Sequence, residues 1–525
     1  MKNNILKCLV LAAVSFALAS CSDYLEERSQ DTYYVSSYKD LDELLLGDCY
    51  AAVNRSTDLT STSDIGYFIH YLGDEIEEQN GDMYDYGDGI REKVFGYYTW
   101  QQRTGETYNK QGYQTENDTW ETVYRYINVA NNIIESVSRV PQNTDDERLG
   151  ATRVNGEAHF LRAYYYFWLA NLYGKPYAAA TAATDLAVPI KTDAKVNDVI
   201  YQRNTVAEVY NQVLADLDVA EQLLSQTGKA KSVYRADITA VYFLKSRVYL
   251  YMQNWEQAAN YAQKVLDSRS GLLDYNTLQG APLSKGSVET IFSMGGDAIP
   301  CSMDNIYQCF RVSHDLYEAY DDDDLRKTKC WWTYGDFVGY TKVAGSASAE
   351  TPADDESYYN DHYYYGLNGS MVDVSDRFLF RTAEAYLTKA EADAYLGNEN
   401  EARQLLNTLR QHRFKTGSNY EITASGQELV EDIRNERRLE LALEGSRWFD
   451  LRRYSVCDHY PESKQITHIY STYRSRFRIS EHRQYVLQPN DTAYTLPIPN
   501  EVIEFNTGMV NNERPERTYT VVSND

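Results

Sequence analysis

Helical periodicity arrives in pairs along this chain, and that pairing restricts the fold more than any other feature. From Thr119 to Val137, Trp120, Tyr124, Ile127 and Ala130/Asn131 recur three and four residues apart. Asn155 to Tyr173 answers with Ala158, Leu161, Tyr165, Leu169 and Leu172, and stops at Gly174 with Pro176 beyond it. Val206 to Leu224 pairs in the same way with Ala236 to Met252. A third pair opens at Trp255-Glu-Gln-Ala258-Ala259 and finds its partner only at Asp376 to Leu396. A fourth joins Glu399–His412 to Gln427–Glu444.

Alanines alternating with large aromatics on antiparallel helix pairs of about 34 residues read as degenerate tetratricopeptide-like repeats. The expected fold is therefore mainly α, an α-α superhelix of four pairs with repeat helices over 119–268 and 376–444. Aromatics at repeat spacing (Tyr124, Tyr165, Trp255, Tyr386) belong to the packing. Leu41 to Val53 adds a short helical pattern. Between 54 and 114 periodicity fails and Gly, Asp and Tyr dominate, as in Gly81-Asp-Met-Tyr84-Asp-Tyr86-Gly-Asp-Gly89 and Tyr97-Tyr98-Thr-Trp100. That run does not fit a calcium loop, because its acids do not alternate and no Glu closes it. Residues 273–373 split the third pair. They carry Gly-, Ser- and Asp-rich turns, β-like runs (Thr290 to Met294, Phe337 to Val343), the acids Asp321 to Asp324, and Trp331-Trp332-Thr-Tyr334. Long irregular segments in a compact protein usually carry function, so these insertions are the expected ligand face.

The stretch Ile433 to Tyr454 combines an apolar stripe with Glu436, Glu440 and Glu444 four apart and five arginines. Three acids on one helical face repel unless cations lie against them. A charged surface helix would satisfy the pattern, but charges this dense beside apolar residues predict a buried ion-pair lattice instead. Gly445 is the expected left-handed helix cap, and Trp448-Phe449 restart an apolar surface.

Formal charge is −26, with 51 basic residues diluted among 77 acids and no long basic run, which excludes nucleic acid as a partner. The 48 Tyr against 15 Phe suit a wet, adaptable binding surface. Lys2 and Lys7 precede the apolar run Leu9 to Ala19, which is too short to span a bilayer and reads as a targeting segment over 1–20. It ends in Leu18-Ala19-Ser20-Cys21, which resembles the lipobox of bacterial lipoproteins. Cys21 is then the lipidated first residue, 21–40 a tether, and the mature charge −28. Ser22-Asp23 and Glu26-Glu27 resemble, in part, the acidic signal that sends lipoproteins to the outer cell surface. The other cysteines (Cys49, Cys301, Cys309, Cys330, Cys457) form no zinc pattern; one disulfide among Cys301, Cys309 and Cys330 stays open.

Four dispersed motifs now stand in order. They are Leu161-Arg162-Ala163-Tyr-Tyr165-Tyr-Phe167 with Leu172-Tyr173-Gly174; Arg381-x-Ala383-Glu384 through Ala390-Glu391-Ala392; Ile433-x-x-Glu436-Arg437-x-x-Glu440 through Gly445-x-Arg447-x-x-Asp450-Leu451-x-Arg453; and Leu496-Pro497-Ile498-Pro499-x-Glu501 with Asn506 and Asn512. Together with the lipobox they resemble the SusD/RagB family of outer-membrane nutrient-binding lipoproteins over nearly the whole mature chain, 41–525. The chain departs from that pattern at Tyr454-Ser455, where the family has Trp-Gly, and at Thr507, where it has Pro. The resemblance implies a lipid-anchored protein on the outer membrane, facing outward, that caps a TonB-dependent barrel transporter (SusC-like). It also implies oligo- or polysaccharide capture without catalysis, cofactor or metal. Capture needs flat aromatic faces on sugar C–H surfaces and polar groups on the hydroxyls. The candidates are Asp74, Tyr84, Tyr86 and Trp100 in the first irregular segment, and Trp331, Trp332 and Tyr334 in the insertion. Strand alternation predicts that only one of Trp331 and Trp332 faces out. The alternatives, a surface glycoside hydrolase or a bare repeat scaffold, find no catalytic motif and too many aromatic loops respectively.

Overall fold

The computed structural model describes residues 35–50, 65–79, 88–195, 199–294, 309–343, 374–475 and 478–522. The Cys21 lipobox, Tyr84, Tyr86 and Cys301 lie outside them. In chain order, helix α1 spans Tyr38–Asp48 and strand β1 Ile76–Glu78, and α2 (Asp88–Tyr98) forms within the segment expected to be irregular. The first repeat is α3 (Asp118–Ser136) with α4 (Asp145–Tyr173), and the second is α5 (Val206–Leu224) with α6 (Ile238–Tyr251). Helix α7 (Trp255–Ser268) precedes the insertion, which contributes β2 (Thr290–Ser293), β3 (Phe310–Val312), β4 (Trp331–Tyr334) and β5 (Phe337–Tyr340). After it come β6 (Leu379–Arg381), α8 (Thr382–Tyr395), α9 (Glu399–Gln411), α10 (Gly426–Glu440) and α11 (Arg447–Ser455). The chain closes on β7 (Ile466–Ser475), β8 (Arg478–Leu487) and β9 (Thr520–Val522), a three-stranded sheet ordered β7-β8-β9.

Local chemistry explains the helix starts. Thr144 accepts from the Glu147 amide (3.2 Å) while the Glu147 carboxylate accepts from the Thr144 amide (3.0 Å), so α4 begins ten residues before the apolar pattern does. Thr205 and Glu208 start α5 in the same way, and Asp237 accepts from the Thr239 amide (2.9 Å) to start α6.

The first three pairs run antiparallel. Trp120 at the start of α3 lies 4.9 Å from Tyr173 at the end of α4, ring to ring. Trp255 at the start of α7 stacks at 3.9 Å on Tyr395 at the end of α8, so the third pair closes across the insertion. The fourth differs. The Gly426 amide at the start of α10 reaches Glu399 at the start of α9 (2.9 Å), and Arg410 near the end of α9 reaches Glu436 (2.5 Å). The two helices therefore run in the same sense. The segment 412–425 returns along α9, held by Asn407 to both backbone groups of Ile422 (2.9 and 2.8 Å).

The charges of Ile433–Tyr454 are buried, as their density predicts. Glu440 accepts from Arg326 (2.8 Å), Arg381 (2.5 Å) and Arg413 (2.8 and 2.9 Å), and Arg381 and Arg413 also bind Glu289 (3.1 and 2.7 Å). Burial alone would raise the Glu440 pKa; Arg413, Arg381 and Arg326 hold it well below the usual carboxylate range. Beside this knot, Arg437 joins Asp450 (2.8 Å) to Glu384 (3.0 Å), and Arg453 joins Asp450 (2.7 Å) to Glu391 (2.6 Å). The helix ends at Glu440, five residues before the predicted cap. Gly445 nonetheless takes φ 72°, and a Cβ there would lie 2.7 Å from the Arg377 Cβ. At the far end, the Asn512 amide donates to the carbonyls of Tyr173 (2.7 Å) and Leu496 (2.6 Å), and Asn506 accepts from the Tyr201 amide (2.9 Å), sealing the tail onto the first repeat.

Candidate functional site

Three of the sequence-predicted binding residues are built into the core. Trp100 is fully buried at φ 52°; its indole N–H donates to the Leu72 carbonyl (3.0 Å) and its ring stacks on His468 at 4.4 Å. Tyr98 stacks on the same imidazole at 4.1 Å. Asp74 is also buried, held by Arg447 (2.8 and 3.0 Å), Lys464 (2.6 Å) and Arg438 (3.4 Å). Burial would raise its pKa, but Arg447 leads three cations that hold it well below the usual range. Trp331 is buried against Tyr320 (6.1 Å) and Tyr340 (5.8 Å). None of the three offers a surface to a ligand, which corrects the expectation for them. They pin loops to the scaffold.

The insertion presents its aromatics on the antiparallel β4–β5 hairpin, turned by Gly335 at φ 54° and Asp336. Trp331 packs inward, Trp332 is half-buried with its ring 5.0 Å from Phe337, and Tyr334 is 41 % exposed. Alternation thus separates the two tryptophans as expected. Against the turn of the hairpin lie groups that no local sequence signal singles out. Arg311 donates to the Asp336 carbonyl (2.8 Å) and to Glu77 Oε1 (2.8 Å), and His314 Nδ1 lies 2.7 Å from the same oxygen. Glu77 and Arg311 face each other across the β1–β3 ladder. Nothing local marks them, since the contact spans 234 residues. Just beyond, the Gln79 amide donates to the Cys309 carbonyl (2.9 Å).

A partly exposed carboxylate, a guanidinium and an imidazole against the turn of the hairpin that carries Trp332 and Tyr334 make a surface suited to an uncharged, hydroxyl-rich ligand. The acidic run nearby is internally paired: Asp324 with buried Arg326 (2.6 Å), Asp322 with Lys327 (3.1 Å), Asp323 with Lys415 (3.1 Å). Among the described residues no three His, Cys, Asp or Glu side chains group to hold a metal. Cys330 carries a free, buried thiol with Tyr275 Oη 4.0 Å away, and takes no part in the disulfide left open above.

Residues 334–515 match the SusD family model, and residues 51–250 match a second model described as starch-binding, associating with the outer membrane. The chain belongs to the SusD/RagB family. Its SusD-like relatives include protein P38 of Formosa agariphila, 27 % identical over 391 residues, covering 65 % of this chain and 72 % of the relative. Another, from Bacteroides ovatus, is 24 % identical over 502 residues, covering 85 % and 82 %. Among solved structures, a SusD superfamily protein from Bacteroides thetaiotaomicron superposes with a TM-score of 0.68 at 21 % identity, over 91 % of this chain and all of that one. A putative sugar-binding protein from Bacteroides vulgatus gives the same TM-score and identity, over 92 % and 99 %. Both structures share the mainly helical fold described above. No described helix is long and apolar enough to cross a membrane.

Proposed function

We propose that this chain is a lipid-anchored glycan-binding protein of the outer cell surface that delivers oligosaccharides to a TonB-dependent barrel transporter without transforming them. Membership of the SusD/RagB family carries the reading, since one matching model is described as starch-binding at the outer membrane and one structural neighbour as sugar-binding. The Leu18-Ala19-Ser20-Cys21 motif supports the anchor, with Cys21 as the lipidated residue. Capture takes place on the β4–β5 hairpin, with Trp332 and Tyr334 as stacking faces and Glu77 and His314 as hydroxyl partners.

The purified mature protein, run in affinity gels with neutral polysaccharides, is expected to be retarded by at least one, with no release of reducing ends. Retardation by none rejects glycan capture; released reducing ends make the protein a hydrolase. Recovery of a barrel transporter with the detergent-solubilised lipoprotein tests the delivery step, and its absence rejects it.

A further inference from the structure

A concave surface lies against the C-terminal sheet β7-β8-β9. It is a cleft of about 450 Å³ between Phe95 at the end of α2, the loop 101–110, β8 and the tail 516–519. That volume falls within the range of small-ligand sites. No residue of 273–373 lines it.

The rings of the cleft are held by one another. Phe95 lies 6.4 Å from Tyr108 and 6.1 Å from Tyr485, and Tyr485 lies 5.6 Å from Tyr519 at 49°. The Arg483 guanidinium sits 4.6 Å over the Tyr519 ring, while Tyr519 stays 42 % exposed. The aromatic floor is therefore fixed before any ligand arrives, which lowers the ordering cost of binding.

The cations around it are all paired. Lys110 binds Glu516 (2.6 Å), Arg483 binds Glu481 (3.0 Å), and Arg517 binds Asp491 through both terminal nitrogens (2.8 and 3.0 Å). The Glu106 carboxylate is different: it is half-buried in the lining, and no hydrogen-bond donor among the described residues reaches it. Burial pushes its pKa up, as expected for an acid that lacks donors. Next to it, Asn109 spends its carbonyl oxygen on Thr107 Oγ1 (2.9 Å) and the Gln111 amide (3.0 Å), which leaves its two N–H donors available to a ligand.

We propose that this cleft binds a neutral pyranose unit, stacked on Tyr519 and Tyr108, with two adjacent hydroxyls donating to Glu106 and one accepting from the Asn109 amide. Rings supply the C–H face, and the unspent acceptor and donor match a diol. An acidic sugar would meet Glu106 with no spare cation to offset it. The proposal takes its ligand class from the glycan-binding reading and adds a second site to it.

Hydrogen exchange of the intact mature protein, with and without maltoheptaose, cellohexaose, xylohexaose, mannohexaose, laminarihexaose or trigalacturonate, reads the two sites on separate peptides. At least one neutral oligosaccharide is expected to protect both 101–110 and 516–519, and trigalacturonate neither. Isosteric Glu106→Gln and surface Tyr519→Ala are each expected to weaken that binding at least tenfold by calorimetry at unchanged Tm. Protection confined to 331–334 overturns the cleft and leaves the hairpin standing; protection nowhere overturns both. Equal protection by trigalacturonate, or wild-type affinity in Glu106→Gln, overturns the cleft as proposed.

Discussion

Arg447 grips Asp74 through Nε at 2.8 Å and Nη2 at 3.0 Å across 373 residues of chain, both side chains buried. The pair fastens the first irregular segment to the start of α11, just after the last repeat. Arg447→Met leaves the Asp74 carboxylate with two weaker partners, Lys464 and Arg438. Chemical denaturation should show a loss of about 3–5 kcal/mol. Glycan affinity of the protein that remains folded should not change, because this pair supports the surface without forming it.

Glu440 is the point on which three arginines converge. Glu440→Gln keeps the volume and removes the charge, so Arg326, Arg381 and Arg413 are left with Glu289, Asp324, Glu436 and Glu444. A loss of about 3–5 kcal/mol is expected in urea unfolding. A variant as stable as wild type would show that the lattice contributes nothing net.

Glu75 supplies a pH signature. Burial, then the neighbouring Asp74 charge, push its pKa from 4.5 up to about 8, while its carboxyl accepts from the Leu443 amide (3.1 Å). A raised acid favours the protonated fold, so its contribution is complete below pH 4.5 and is lost as pH rises through about 8. Glu75→Gln keeps the acceptor and cannot ionise. Its stability relative to wild type should rise between these limits by on the order of 5 kcal/mol, read from denaturation midpoints across pH.

The two adjacent tryptophans should part company. Trp331→Ala empties a buried site and should cost about 3–5 kcal/mol of stability. Trp332→Ala, together with Tyr334→Ala, should leave the melting temperature near wild type and weaken glycan binding by about tenfold or more in affinity gels. Unchanged binding would remove the hairpin from the ligand surface.

Cys21→Ala should abolish fatty-acid labelling and release the protein from the membrane fraction. Labelling that persists would place the anchor elsewhere.

The helix pairs were legible in the sequence because they leave a local record: ring and alanine spacing, and a Gly–Pro stop after α4. The buried lattice was legible too, since Glu436, Glu440 and Glu444 cannot share one face without cations. What escaped depends on long-range partners. Trp100 and Trp332 look alike in sequence, both aromatic and both in loops. Only the position of His468, and of Leu72 behind the indole, makes the first a core residue. Helix α2 hid among glycines and tyrosines because its apolar stripe is weak, and the parallel course of α9 and α10 depends on a return segment held by Asn407. Glu77, Arg311 and His314 acquire meaning only when β1 meets β3.

Lys342, two residues past β5, sets its ammonium on the carbonyls of Glu440 (2.7 Å) and Ala442 (3.1 Å), and Arg377, just before β6, donates to the Ile65 carbonyl (2.9 Å). Departure and re-entry are thus both bolted to the scaffold, independently of what runs between them. Each bolt closes on backbone carbonyls, so substitutions at Glu440, Ala442 or Ile65 leave its acceptors in place.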